Sequence, residues 1–196
     1  MTQPPAVGTA RARAKAERRR EILQATARLM AQRGFHAVRL EDIGTQVGIS
    51  GPAVYRYFSS KEDALAEMLV DISQRLRDGG TAAVASGGGP GEVLEALIAV
   101  HVDFVLTEPD LISVQFRDLE SLPPQPHRQV RSLQREYVQL WVDALERLRP
   151  ELAPGEAGTH VHAVFGLLNS SPRLPALPSA QAREVLTRMA RAALEA

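Results

Sequence analysis

The stretch that decides the fold is residues 38–65, which read VRLEDIGTQVGISGPAVYRYFSSKEDAL. Its apolar residues recur at helical spacing over 40–47 and predict a short helix there, and Gly48-Ile49 follows as a tight turn. Ser50 then stands at an N-cap position, with Pro52 in the first turn of a second helix, where a missing N–H costs little. The stretch therefore predicts two short helices joined by a tight turn.

The second helix is predicted to run to about Tyr57, and Ser59-Ser60-Lys61-Glu62 forms a capping box that opens a longer helix. Two short helices joined by a glycine-containing turn form a helix-turn-helix, whose second helix enters the major groove of DNA. Because that groove is only about 12 Å wide, the outward residues should be small or polar. Val54 and Phe58 are expected to face the other way, into the core.

The residues predicted to meet DNA are small, aromatic or basic. Small residues let the second helix approach the groove closely, and tyrosine and lysine side chains can donate hydrogen bonds to phosphates. The candidates are Arg39, Ser50, Gly51, Pro52, Ala53, Tyr55, Arg56, Tyr57 and Lys61. The alternative is that the two tyrosines are core aromatics of a helical domain.

Charge is distributed unevenly along a chain whose formal net charge is +0. Residues 1–61, termed the head, contain 11 basic and 4 acidic side chains, whereas residues 62–196, termed the body, contain 12 basic and 19 acidic ones. A basic head on an acidic body indicates that the head meets a polyanion. The basic run that begins at Arg11 is either a solvated helix face or an arm that places Arg11 and Arg13 in a minor groove.

The rest of the chain shows helical periodicity and none of the alternation that indicates a β-strand. Residues 1–10 are rich in proline, glycine and alanine and predict a disordered tail, and the glycine-rich residues 79–91 predict a loop or a fraying helix end. Further helices are predicted over about 15–33, from 62 onward, and over 92–107, 109–119, 127–149, 155–169 and 180–195. The fold class is therefore all-α, with about nine helices.

An ordered series of motifs within residues 15–65 resembles the TetR family of transcriptional repressors. The motifs are Gly34-Phe35, Asp42-Ile43-Gly44, Val47-Gly48-Ile49-Ser50, Val54-Tyr55-Arg56-Tyr57-Phe58 and Lys61-Glu62-Asp63-Ala64-Leu65. The resemblance implies that the third helix reads base edges. It also implies that the residues matching Tyr55, Tyr57 and Lys61 hold phosphates.

The sequence departs from the family pattern at three positions. Arg39 stands where a Ser or Thr usually caps the second helix, and losing such a cap costs about 0.5–2 kcal/mol. Gly44 replaces a usual alanine, at a helix cost of about 1 kcal/mol, and Val47 also replaces alanine. Arg39 could contact a phosphate directly, and none of the three changes removes a group that faces the groove.

A dimer is expected, because two-fold pairing places two reading helices in successive major grooves. The dimer face should be apolar and helical, and the resemblance implies that the last two helices form a four-helix bundle across the dimer axis. The candidates there are Val161, Val164, Leu168, Val185, Leu186 and Met189. The alternative is that these residues complete the core of one chain.

The resemblance also implies a small-molecule site among the middle helices of the body. Aromatic and polar side chains at helical spacing could form its apolar wall and polar tips. The candidates are Leu97, His101, Phe104, Phe116, Arg117, Tyr137, Trp141, His162 and Phe165. An aromatic stripe at this spacing is alternatively plain core.

One segment narrows the class of expected ligand. Residues 115–119 and the basic helix after Leu122-Pro123 resemble the bodies of actinobacterial regulators of lipid and branched-chain-acid breakdown, which respond to acyl-CoA thioesters. Arg117 and Arg128 could then meet phosphate or carboxylate groups.

Several other classes of protein and site are disfavoured. The chain has no cysteine, and His160 and His162 lie on opposite sides of a helix, so no metal site or cofactor is predicted. No serine stands in a recognisable catalytic setting, so the chain is not expected to be an enzyme. No apolar run approaches the ~20 residues that span a bilayer, and a cytoplasmic location is expected.

The sequence therefore predicts a homodimeric repressor with a DNA-binding head (1–61) and a ligand-binding and dimerisation body (62–196). A small apolar or amphipathic effector would release it from a palindromic double-stranded operator. The alternatives are an activator without a ligand, or a helical module whose basic head docks to lipid or protein.

Overall fold

Nine α-helices and three short 3-10 turns build the described part of the chain, residues 7–196 (side chains from residue 10), in a computed structural model. No strand occurs within those residues, which confirms the all-α prediction. The helices are α1 (Val7–Arg33), α2 (Leu40–Gln46), α3 (Gly51–Val54), α4 (Lys61–Ala85), α5 (Pro90–Thr107), α6 (Pro109–Asp118), α7 (Pro124–Leu148), α8 (Glu156–Leu168) and α9 (Ser179–Glu195).

Helices α1 to α3 pack around one small core. Ile22 of α1, Ile43 of α2 and Val54 of α3 are fully buried there, and Phe58 beyond α3 joins them. The inward orientation predicted for Val54 and Phe58 is confirmed. Burying these apolar side chains leaves the polar side of α2 and α3 in solvent, as a helix-turn-helix requires.

Two departures from the family pattern have local compensations. The Arg39 side chain does not cap α2, but the carboxylate of Asp42 accepts a hydrogen bond from the Arg39 backbone N–H (3.0 Å). A Cβ at Gly44 would lie 2.8 Å from Cγ2 of Val54 and 3.0 Å from the carbonyl oxygen of Ile49. Glycine therefore lets α2 and α3 pack closely, which offsets its low helix propensity.

Helix α3 is shorter than the sequence predicts, since it ends at Val54 and not near Tyr57. The chain turns there so that Phe58 reaches the core, and the guanidinium group of Arg19 donates a hydrogen bond to the carbonyl of Tyr57. Arg19 also pairs with Glu67 of α4 and lies 4.2 Å from the centre of the Phe58 ring. One α1 side chain thus joins the turn after α3 to α4.

The loop predicted over 79–91 is wrong for its first half, because α4 continues to Ala85. Gly79 and Gly80 are packing positions inside the helix. A Cβ at Gly80 would lie 2.7 Å from the Tyr137 ring, and one at Gly79 would lie 3.1 Å from Val100. Glycine here permits a close approach of α4 to α5 and α7, which outweighs its low helix propensity.

The N-terminal predictions are revised as well. Helix α1 already begins at Val7, so the predicted tail is wrong for residues 7–10, and residues 1–6 lie outside the described part. Arg11 and Arg13 are exposed residues of α1 and do not form an extended arm. Within residues 7–196, no helix is both long and apolar enough to cross a membrane.

The α4–α7 contact can be tested by adding one methyl group. Gly80→Ala should destabilise the protein by about 1–2 kcal/mol, because overpacking against Tyr137 costs about 1–3 kcal/mol and exceeds the gain in helix propensity. Urea unfolding measures the difference. Gly91→Ala in α5 is the control, since its Cβ would meet only Leu148 at 3.8 Å, and it should be neutral or stabilising. Equal stability of Gly80→Ala and wild type would contradict the close approach.

Candidate functional site

The exposed side of the helix-turn-helix presents five of the nine predicted DNA contacts. Tyr55 is 52% exposed, and Arg39, Ser50, Pro52 and Arg56 are also exposed. This surface combines two guanidinium groups with small and hydroxyl-bearing side chains, which suits both phosphates and base edges.

The Tyr55 hydroxyl is tied to the first turn of α2. It donates a hydrogen bond to the Glu41 carboxylate (3.2 Å), and this bond, with the charge of Glu41, raises the pKa of Tyr55 above its usual value. The hydroxyl therefore stays protonated at physiological pH and remains a donor. The contact places the end of α3 beside the start of α2 on one surface.

Three further candidates are only half-buried and have packing roles. A Cβ at Gly51 would lie 3.1 Å from Cγ of Glu41, so Gly51 allows α3 to sit against α2. Ala53 is half-buried, and Tyr57 packs against the core while its carbonyl accepts the bond from Arg19. These residues shape the reading surface more than they project from it.

Lys61 has a different role in the structure from the one predicted. Its ammonium group donates to the carbonyls of Phe35 (3.0 Å), His36 (3.4 Å) and Val38 (3.3 Å), and it lies 4.4 Å from the centre of the Phe35 ring. All three ammonium protons have protein acceptors in this arrangement. Lys61 thus fixes the 3-10 turn (Phe35–Ala37) before α2, and its phosphate contact stays a prediction.

The body contains a cluster of aromatic rings between α5, α7 and α8, termed the aromatic cluster. The rings of His101, Tyr137 and Phe165 are parallel to within 12°, with centroids 4.8–5.9 Å apart. Phe104 meets His101 edge-on at 6.0 Å, and Trp141 meets Phe165 edge-on at 5.1 Å. Five of the predicted pocket residues therefore converge at one place, and Leu97 is buried in the same core.

Three polar atoms in the aromatic cluster have no hydrogen-bond partner among the described residues. They are Nδ1 of His101, the hydroxyl oxygen of Tyr137 and Nε1 of Trp141, and all three are buried. An unsatisfied buried polar group costs about 1–3 kcal/mol, and native proteins contain few of them. Their concentration among five rings indicates that this site receives polar atoms from a bound molecule.

Burial controls the protonation of the cluster. It lowers the pKa of His101 to about 4, although the hydrogen bond between Nε2 and Oδ1 of Asn169 (3.2 Å) opposes this shift. Burial also raises the pKa of the Tyr137 hydroxyl, although the neighbouring Trp141 N–H opposes this shift, and no neighbouring charge contributes to the pKa shift of either residue. Both side chains are therefore neutral at physiological pH.

Three predicted pocket residues lie outside the aromatic cluster. Phe116 is 78% exposed, with the guanidinium carbon of Arg173 5.2 Å from its ring centre, and His162 faces solvent on α8. Both point away because α6 and α8 bury their opposite sides, around Val114 and Val164.

Arg117, the third, joins the body to the head. Its guanidinium group donates to the carbonyls of Met30 and Ala31 in the last turn of α1 (3.3 Å for Ala31). The carboxylate of Asp118, only 4% exposed, holds the same guanidinium at 3.0 and 3.1 Å. A cation at the C-terminal end of a helix is favourable, because it interacts with the negative end of the helix dipole.

A second ion pair, within the body, joins α4 to the segment between α5 and α6. Arg75 makes a two-pronged contact with Glu108, between α5 and α6, at 2.6 and 2.9 Å, and it also bonds Asp71 at 2.8 Å. These carboxylates raise the pKa of Arg75 further above its ordinary value. The pair borders a cleft of about 730 Å³ between α1, α4 and α6.

Most of the predicted dimer residues complete the core of the single chain. Val161, Val164, Leu168 and Leu186 are buried against neighbouring helices of the same chain, while Val185 is half-buried and Met189 is 46% exposed. The outward side of α8 carries His162, Ala163 and Gly166. The sequence pattern identified the apolar stripes but not which other helix they face.

The site also includes residues that sequence reasoning missed. Asn169 bonds His101 from 68 positions away, and Asp118 orients Arg117. Glu67 holds Arg19 across 48 positions. No local pattern marks Asn169 or Glu67, because each meets its partner only in the folded chain, whereas Asp118 is adjacent to Arg117 in the sequence.

Comparisons with known proteins agree with this geometry. The profile "Bacterial regulatory proteins, tetR family" matches residues 22–68, and "Tetracyclin repressor-like, C-terminal domain" matches residues 87–173. The HTH-type transcriptional repressor KstR2 of Rhodococcus jostii is 30% identical over 74% of this chain and 71% of its own length.

Solved structures show the same fold. The ketosteroid transcriptional regulator KstR2 of Mycobacterium tuberculosis superposes with a TM-score of 0.80 at 22% identity, over 91% of this chain and 93% of that one. AibR, in complex with isovaleryl coenzyme A and operator DNA, gives 0.73 at 16% identity, over 88% and 97%.

The buried histidine predicts a pH-dependent stability. The pKa of His101 is about 4 in the folded chain and about 6.5 when unfolded, so below about pH 6.5 the unfolded chain binds a proton that the folded chain does not. Relative to His101→Phe, the wild type should lose on the order of 3 kcal/mol of unfolding free energy between pH 7 and 4. Urea unfolding at several pH values measures this. His36→Phe, at an exposed site, is the control, and parallel curves for wild type and His101→Phe would contradict the burial.

Proposed function

Because the chain belongs to the TetR family of bacterial regulatory proteins, we propose that it is a homodimeric repressor released from its operator by a small molecule. Proteins of this family are DNA-binding transcription regulators and not enzymes. The observation that carries the proposal is the exposed side of the helix-turn-helix, where Arg39 before α2 and Arg56 after α3 face solvent, on a head with an excess of arginine and lysine.

We assign DNA binding to the head, and dimerisation and effector binding to the body, because the head is basic and the body is acidic. The head (1–61) binds DNA, with Arg39, Ser50, Pro52, Tyr55 and Arg56 as contacts. Gly51, Ala53 and Tyr57 shape the surface, and Lys61 holds the turn before α2. Phosphate contacts by the arginines supply affinity that depends on salt, while the small residues of α3 admit the helix to the major groove.

The body (62–196) supplies the dimer face and the effector site. We place the dimer face on the outward sides of α8 and α9, around Ala163, Gly166, Val185 and Met189, since small and apolar exposed residues permit close helix packing. Ion pairs of Arg183 with Asp103 (2.7 Å) and of Arg191 with Glu95 (2.5 Å) hold α9 on α5 and leave that side outward.

The effector site is the aromatic cluster, and two contacts link it to the head. The Tyr137 ring packs on Gly80 of α4 with no space for a methyl group, so a displaced ring must move α4. Helix α6, which follows α5, carries the Arg117 contact to α1. Effector and operator then bind antagonistically, with a coupling of about 1–3 kcal/mol.

An acyl-CoA is a second hypothesis for the effector, and its charged phosphates would have to lie outside the neutral aromatic cluster. The operator complex of AibR with isovaleryl coenzyme A supports it by analogy of fold. Arg117 is occupied at α1, whereas Arg128 is exposed near the start of α7 and is able to meet a phosphate. The hypothesis fails if no acyl-CoA raises the melting temperature or releases operator DNA.

Selection of duplexes from a random pool tests the regulator proposal directly. The purified chain should enrich an inverted repeat, and its affinity should fall steeply with salt. Arg56→Ala should weaken binding to all sequences alike and reduce the salt slope by about 1, because one phosphate contact is lost. Arg135→Ala, on the exposed side of α7, is the control. Absence of any enriched sequence would favour the docking-module alternative.

The link between head and body gives a separate prediction. Arg117→Gln removes the cation from the last turn of α1, so amide exchange around Met30–Phe35 should become faster and operator affinity should fall several-fold. Hydrogen exchange and fluorescence anisotropy measure the two effects. Arg128→Gln, which leaves the α1 contact intact, should match the wild type in exchange. Unchanged exchange in Arg117→Gln would show that the contact does not position the head.

A further inference from the structure

The unpaired atoms of the aromatic cluster have defined hydrogen-bonding capacities. Nε1 of Trp141 can only donate, and the Tyr137 hydroxyl can donate or accept. Nε2 of His101 faces Oδ1 of Asn169, which only accepts, so Nε2 carries the ring proton and the unpaired Nδ1 is an acceptor. Trp141 lies close enough to Tyr137 to affect its hydroxyl, so this pair offers a bound molecule at least one donor, and Nδ1 of His101 offers an acceptor.

The shape of the site favours a flat molecule. The parallel rings of His101, Tyr137 and Phe165 form a partial stack that a planar group can join, and Trp141 closes one side edge-on. Phe165 is the only member of this set that is not fully buried among the described residues. Phe165 on α8 is therefore the ring of this set that lies nearest to solvent.

The charge of the site favours a neutral molecule. No lysine or arginine donates a hydrogen bond to the cluster atoms, and the arginine expected to meet a carboxylate, Arg117, is held at α1. His101 is neutral because burial disfavours its protonated form. An ionised ligand would lose its hydration here without gaining an opposite charge.

We propose that the aromatic cluster takes a flat, uncharged molecule bearing a hydroxyl group, an inference that rests on the proposed ligand-responsive function. The hydroxyl oxygen accepts from Trp141 or Tyr137, and its proton is donated to Nδ1 of His101. A hydroxyl supplies both capacities, whereas a hydrocarbon supplies neither and a carboxylate cannot donate.

Three probes of nearly equal shape separate these cases: 2-naphthol, naphthalene and 2-naphthoate. Calorimetric titration and melting curves use the full chain without DNA. We expect 2-naphthol to bind at least about tenfold more tightly than naphthalene, the ratio one retained hydrogen bond supplies, and 2-naphthoate to give no melting shift. Equal or stronger binding of 2-naphthoate, or no binding of any probe, would overturn the proposal.

Variants distinguish a ligand site from a merely structural cluster. Tyr137→Phe and His101→Phe should each weaken 2-naphthol binding by about tenfold and remove its advantage over naphthalene. Tyr137→Phe should melt at or above the wild-type temperature at pH 7.5, because an unpaired buried hydroxyl is gone, whereas His101→Phe also loses the bond to Asn169 and is judged by its probe preference. Arg135→Ala should keep the wild-type probe preference. If both cluster variants retain that preference, the unpaired atoms do not bind the ligand and the proposal fails.

These outcomes are independent of DNA binding. Selective 2-naphthol binding by a chain that enriches no duplex would leave the ligand chemistry standing and remove the repressor function. Operator binding by a chain that prefers 2-naphthoate would support the repressor function and overturn the proposed ligand chemistry.

Discussion

Helix α4 packs against the head at one end and against the body near the other. The arrangement of the other helices depends on both sets of contacts. The first residue of α4, Lys61, holds the turn before α2, and Glu67 one and a half turns later holds Arg19 of α1. Near its other end, Gly80 accepts the Tyr137 ring with no space to spare. A straight helix of 25 residues fixed at both ends transmits a displacement at one end to the other, since close-packed interiors deform little.

Some basic side chains of the head form contacts within the chain, and others remain exposed to solvent. Arg19 and Lys61 are used within the chain, where they satisfy backbone carbonyls that have no helical partner. The exposed arginines, such as Arg39 and Arg56, stay in solvent and remain available to a polyanion. A count of basic residues therefore overstates how many can meet DNA, although the sign of the imbalance is informative.

In the body, the aromatic cluster contains polar atoms that do not contribute to the stability of the fold. The core of the body is apolar and closely packed, yet its centre contains three polar atoms without partners. Replacing them by apolar groups of the same shape would cost little or would stabilise the fold. A binding role explains why these polar atoms lie where α5, α7 and α8 meet, since the stability of the fold does not require them.

Capping and hydrophobic periodicity act within a few residues of the chain. The sequence alone therefore predicts the helices, the helix-turn-helix and the direction in which Val54 and Phe58 face. It also brought five rings into one predicted pocket. The tertiary structure alone decided that Gly80 lies inside α4, that Lys61 and Arg117 bond carbonyls of the head, and that Asn169 orients His101. These contacts join residues from 23 to 87 positions apart, where the partner is set by how whole helices pack and not by any local pattern.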